Sequence, residues 1–180
     1  FRVWAPRRKR VDVGILPPTE EAGRPDRNAR SHAGPVRLSE CSDTLRLVEL
    51  APDGDGYFAA NVADVESGYR YGFRLDAGER LYADPASRFQ PNGPAGLSQV
   101  VDPARFVWTD AAWQGPMIDN RVLYEMHIGT FTQEGTWAAA AEHLSRLREL
   151  GITILEVMPV ADFPGEFGWG YDGVLLFAPT

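Results

Sequence analysis

Lysine is almost absent from this sequence. Lys9 is the only one, so arginine supplies the rest of the 18 basic residues. Cysteine is equally scarce. Cys41 is alone, which excludes a disulfide within the chain and fits a reducing compartment. It lies in a polar stretch with no His or Asn pattern around it, so it reads as a bystander and not as a nucleophile. Three histidines, His32, His127 and His143, stand far apart, and no two have metal-ligand spacing. No metal site is expected. No apolar run approaches the ~18 residues needed to span a bilayer, and no signal-peptide architecture opens the chain. Phe1 is not an initiator Met, and the sequence reads as a piece that begins inside a strand. There is no Gly-rich phosphate loop and no nucleophile elbow.

Positive charge is also in short supply. The net charge is -7, which argues against nucleic acid or an anionic membrane as partner. The basic run at 7–10 is a local exception and reads as a solvated turn beside a strand.

What remains is ordinary globular composition, 44% hydrophobic and 24% charged. In 180 residues that allows one large domain or two small ones. The first half alternates apolar and polar residues in short runs, at 2–4, 11–15, 45–50, 57–62 and 69–75, separated by Pro, Gly and Asp. These are strands and turns, and their spacing suggests a β-sandwich. The turn signal at 52–56 is strong, because Gly and Asp tolerate the positive φ of tight hairpins. Residues 17–44 lose periodicity and read as an exposed, mobile loop or insertion. Residues 82–120 are irregular and proline-rich. They read as a linker packed between domains and anchored by Phe106, Trp108 and Trp113.

The pattern changes after Asn120. Residues 122–131 form an apolar run that predicts a buried strand. Thr136 can cap a helix whose apolar face is Trp137, Ala140, Ala141, Leu144 and Leu147, with His143 facing solvent. Gly151 suits the helix end, and 152–158 predicts a second buried strand closed by Pro159. Strand, helix and strand make a βαβ unit with parallel strands.

Several carboxylates stand near strand ends here: Glu125, Glu156 and Asp172. Glycosidases work with paired carboxylates, but a carboxylate in a barrel strand more often closes a hydrogen-bond or ion-pair network. Glu125 and Glu156 are therefore expected to be structural. Phe167-Gly168-Trp169-Gly170-Tyr171-Asp172-Gly173 is more distinctive. Loops after parallel barrel strands carry sites, an aromatic ring can stack on a sugar, and a carboxylate can accept from hydroxyls. A loop packing on its neighbours would have the same composition.

Three blocks in order carry a resemblance. Val122-Leu123-Tyr124-Glu125-Met126-His127-Ile128-Gly129-Thr130-Phe131 resembles the first barrel strand of family 13 glycoside hydrolases of the branching, debranching and trehalose-releasing group. The block at 150–160 resembles their second strand. Phe163-Pro164, Gly168-Trp169-Gly170-Tyr171-Asp172-Gly173 and Leu176-Phe177-Ala178-Pro179 resemble the loop after it. Phe1-Arg2-Val3-Trp4-Ala5-Pro6 is similar to the opening of the immunoglobulin-like, glycogen-binding-type module that precedes the barrel.

The resemblance implies an immunoglobulin-like β-sandwich over 1–105, a linker over 106–120, and over 121–180 the first βαβ portion of a TIM (β/α)8 barrel, truncated. It implies maltooligosyltrehalose or another α-glucan as partner, cytoplasmic location, a retaining mechanism and no cofactor. Tyr171 would be the stacking platform beneath a sugar, Asp172 would help hold that subsite, and Trp169 would join them as substrate-binding. The catalytic carboxylates lie on later barrel strands, so no catalytic residue is expected here. A branching or debranching enzyme fragment and a non-catalytic glucan-binding module are the alternatives.

Overall fold

The computed structural model describes residues 1–18, 34–115, 117 and 119–180. His32 and the middle of the expected loop, residues 19–33, lie outside the described residues, as does Pro116 in the linker. Backbone contacts divide the chain into two units: residues 1–103 with 161–168 and 172–180, and residues 104–160 with 169–171.

The first unit begins with strands β1 (Arg2–Trp4) and β2 (Val11–Leu16). They are followed by β3 (Val36–Arg37), β4 (Arg46–Glu49), β5 (Ala51–Pro52), β6 (Tyr57–Ala59), β7 (Arg70–Leu75), β8 (Arg80–Tyr82) and β9 (Ser98–Gln99). They form two antiparallel sheets. The larger has the order β3-β8-β7-β2-β4 with β9 also on β7, and the smaller has the order β1-β6-β5. Strands alternate their side chains across a sheet. Val11, Val13 and Ile15 of β2 therefore meet Val3, Phe58, Tyr71 and Phe73 in one core between the sheets. Each such side chain contributes roughly 1.5–3 kcal/mol when fully buried.

The opposite face of β2 is unusual. Asp12 is buried there, and Gly14 stands directly opposite Gly72 of β7. A Cβ on Gly14 would lie 2.7 Å from a Leu81 methyl, and one on Gly72 would lie 2.9 Å from the Tyr82 carbonyl oxygen. Two facing glycines thus let Leu81 and Leu97 close down on the centre of the sheet, in a second small core with Leu16. The basic turn is exposed as expected. Asp76 fixes it by accepting from the backbone amides of Lys9 and Arg10 at 2.8 and 3.1 Å. Those amides, with Arg8, hold the Asp76 carboxyl below its ordinary range.

Several short strands were not legible in the pattern. β3, β5, β8 and β9 are two or three residues long, too short for alternation to register. Val36–Arg37 and a 3₁₀ turn at Leu38–Glu40 fall inside the stretch expected to be loop. Residues 175–179, expected to be loop, form strand β13 (Leu175–Pro179), paired antiparallel with β12 (Ala161–Asp162).

In the second unit, β10 (Leu123–Met126) and β11 (Ile154–Val157) pair in parallel, from Leu123 opposite Ile154 to Met126 opposite Val157. Between them come the helices α1 (Ile128–Phe131), α2 (Trp137–Glu142) and α3 (Leu144–Glu149). The βαβ order is as predicted, but three details differ. The strand expected over 122–131 stops at Met126, because the amides of Thr130 and Phe131 turn back to the His127 carbonyl and start a helical turn. Thr136 caps as expected, accepting from the Ala139 amide at 3.2 Å. The helix it starts is broken at His143, whose amide closes a tight turn onto the Ala140 carbonyl at 3.1 Å.

The third difference is burial. Met126, Ile128 and Ala140 form a small core, while Leu123, Tyr124, Trp137, Leu144 and Leu155 are exposed. Much of the strand and helix surface expected to be buried is therefore open. Phe106, Trp108 and Trp113, the expected anchors of the linker, are also exposed. Phe106 and Trp108 touch only edge to face, at 4.8 Å.

Candidate functional site

The glycine-rich segment begins past Pro159, just beyond β11. Gly170 is buried at φ +92°, a conformation that L side chains rarely adopt, and a Cβ there would run into the Pro159 carbonyl oxygen. Backbone packed on backbone fixes the segment at this point. The flanking residues Trp169 and Tyr171 are turned outward, 77% and 72% exposed. Rings held outward on a pinned backbone suit stacking on a ligand.

Asp172 is exposed as well. In its own unit the chain is closed by two contacts. The Val174 amide donates to the Asp162 carbonyl at 2.9 Å, and a Cβ on Gly173 would collide with that of Ala161. Gly168 is similarly tight against the buried ring of Phe163. Glycines at 168, 170 and 173 are thus required by close approach.

Glu125 and Glu156 stand directly opposite each other on β10 and β11. Both are exposed, and no hydrogen bond or ion pair to the described residues engages either side chain. The network expected to close around them is not present there. His143 is exposed, with its ring edge-on to Phe131 at 5.8 Å. Among the described residues no cluster of three His, Cys, Asp or Glu could hold a metal, and no helix is long and apolar enough to cross a membrane. Cys41 is half-buried, and burial with the nearby Glu40 charge pushes its thiol above the ordinary range. That disfavours the thiolate a nucleophile needs.

Sequence reasoning missed two buried polar groups in the first unit. Tyr71 donates to the Asp84 carboxylate at 2.7 Å, and Ser98 Oγ accepts from the Asp84 amide at 2.9 Å. Burial, the Asp84 charge and that hydrogen bond push the Tyr71 phenol far above its ordinary range. The other is the Asp12 carboxylate with Arg10 and Arg74. Tyr71 stood out in its aromatic run, but nothing in the sequence pairs it with Asp84 or Asp12 with Arg74.

No family model matches the sequence. Comparison with individual proteins is informative. The malto-oligosyltrehalose trehalohydrolase of Saccharolobus solfataricus is 44% identical over 99% of this chain and 27% of its own length. A crystal structure from Salmonella typhimurium, described as an alpha amylase, superposes with a TM-score of 0.76 at 41% identity. It covers 99% of this chain and 26% of that one. A 1,4-alpha-glucan branching enzyme of Xanthomonas euvesicatoria is 33% identical over 69% of this chain and 19% of its own length. In fold and sequence the chain is similar to enzymes of the alpha-amylase family of glycoside hydrolases. Within that family it matches the N-terminal part of the malto-oligosyltrehalose trehalohydrolases, as expected from the resemblance. It spans about a quarter of the length of those relatives.

Proposed function

We propose that the polypeptide carrying this sequence hydrolyses the α-1,4 glucosidic bond next to the trehalose unit of maltooligosyltrehalose and releases trehalose. The observation that supports this best is the 44% identity to a named trehalohydrolase along nearly the whole chain. Hydrolysis proceeds with retention, through a glycosyl-enzyme intermediate on one carboxylate with a second as acid and base. Neither carboxylate belongs to these 180 residues, and Glu125 and Glu156 are not assigned to those roles.

In this reading residues 1–105 are an immunoglobulin-like sandwich, 106–120 a linker and 121–180 the start of a (β/α)8 barrel. The exposed apolar faces of β10 and β11 are what further barrel strands would cover. Tyr171 is the stacking platform under a glucosyl unit, with Trp169 beside it in sequence and Asp172 holding the subsite. The partner is maltooligosyltrehalose or another α-glucan, and the location is cytoplasmic. The branching-enzyme match is weaker in both identity and extent and supports a second reading, a branching activity.

Tyr171→Ala in the extended polypeptide tests the site. Loss of one aromatic stacking surface predicts a fall of roughly tenfold in kcat/KM for trehalose release. Unchanged kinetics would remove Tyr171 from the subsite.

A further inference from the structure

The first unit contains a cleft of about 820 Å³, formed by Phe1, the 61–65 segment after β6, Tyr71, the turn at 86–88 and residues 99–101. That volume falls in the range of small-molecule sites. Its floor is apolar. Phe1 packs edge-on against Tyr71 with centroids 5.0 Å apart, and valines 62, 65 and 100 complete the wall and pack on the main core.

The polar side chains are few. Asn61 and Gln99 bring carboxamides, which can both donate and accept. Among the described residues Arg88 brings the only charged side chain to the lining, although carboxylates outnumber basic residues 25 to 18 in the sequence; the terminal ammonium of Phe1 is engaged by the Ala60 carbonyl at 2.9 Å. Arg88 is exposed and forms no ion pair with the described residues. An uncommitted guanidinium presents a planar fork suited to carboxylate or phosphate oxygens. One uncommitted guanidinium in an acidic chain does not suit a polyanion. It suits a small anion whose carbon skeleton can lie on the valines and whose hydroxyls can reach the amides.

We propose that this cleft binds a small phosphorylated sugar, with the phosphate on Arg88, the hydroxyls on Asn61 and Gln99, and the ring against the apolar floor. The cleft's lining includes none of Trp169, Tyr171 and Asp172, and the proposal does not depend on the reading of the parent activity.

The test is titration of the 180-residue chain with glucose 6-phosphate, followed by amide chemical shifts. Saturable shifts at Asn61, Arg88 and Gln99 are expected. Arg88→Ala should weaken binding by about tenfold or more, because the anion loses a charge-assisted pair. Arg88→Lys should retain part of the affinity. Asn61→Ala should weaken it less, and glucose alone should bind at least tenfold more weakly. Glucuronate separates a carboxylate from a phosphate preference, and tighter binding of glucuronate would overturn the phosphate assignment. The proposal also fails if glucose 6-phosphate gives no saturable shifts, if Arg88→Ala binds it unchanged, or if inorganic phosphate alone binds equally well. Arg88 is exposed, so its replacement leaves the fold intact for these comparisons.

Discussion

Asp12 and Arg74 stand directly opposite each other on β2 and β7, and the Arg74 Nε donates to Asp12 Oδ2 at 2.9 Å. Arg10 takes the other carboxylate oxygen, also at 2.9 Å, and reaches Glu49 at 3.0 Å. Asp12 is 1% exposed, so this is a carboxylate placed in the middle of a sheet and satisfied from both sides.

Burial pushes the Asp12 carboxyl up, but the hydrogen bonds and charges of the two arginines outweigh it and hold the group below its ordinary range. A lowered folded-state value means that the stabilisation is present above the unfolded value, about 3.9. It is lost as pH falls through the lower folded one. Urea midpoints should therefore drop below about pH 4, and Asp12→Asn should lose part of that slope. At neutral pH Asp12→Asn should cost about 2 kcal/mol or more, since two guanidiniums lose their anion. Equal midpoints for the two proteins at pH 7 would contradict this.

Gly72→Ala should destabilise more than Gly14→Ala. The added methyl at 72 meets a backbone carbonyl, which cannot move alone, while at 14 it meets the end of the Leu81 side chain. Overpacking of this kind costs about 1–3 kcal/mol. Thermal melts of the two variants would show the order, and a larger loss at position 14 would be the wrong one.

The cap on α2 gives a local prediction. Thr136→Ala removes the acceptor for the Ala139 amide and should cost about 1 kcal/mol, with faster exchange at that amide. A Thr136→Ser variant should retain most of the protection. Unchanged exchange in the alanine variant would show that the cap contributes nothing.

How much of this was readable in advance depended on length and on what covers each element. β2 and β7 have six residues each and were visible as alternation, because both pack on a core their own sequence supplies. β9 was invisible, because two residues carry no period. In the second unit the order strand, helix, strand was legible from periodicity, and the cap at Thr136 from chemistry. The break at His143 was not, because it arises from one amide choosing the Ala140 carbonyl in a sequence of good helix formers. Burial there was misjudged, because apolar pattern reports what a face needs and not what is present to cover it. At the candidate site the glycines and aromatics were legible. The reason for Gly170 was not, since the approach of Pro159 is a tertiary contact.

Hydrogen exchange should expose that difference between the units. β2 has strands on both sides and is buried throughout, so its amides should be among the most protected. Among the described residues β10 and β11 pair only with each other and have exposed apolar side chains, so their amides should exchange far faster in the 180-residue chain. Equal protection in β10 and β2 would show that two parallel strands suffice.

The most direct measurement is product analysis with maltotriosyltrehalose, comparing the 180-residue chain with the same polypeptide carrying its C-terminal continuation. The extended polypeptide should give trehalose and maltotriose, and the 180-residue chain should give neither. Trehalose released by the 180-residue chain alone, or new α-1,6 branches in place of trehalose from the extended one, would contradict the account.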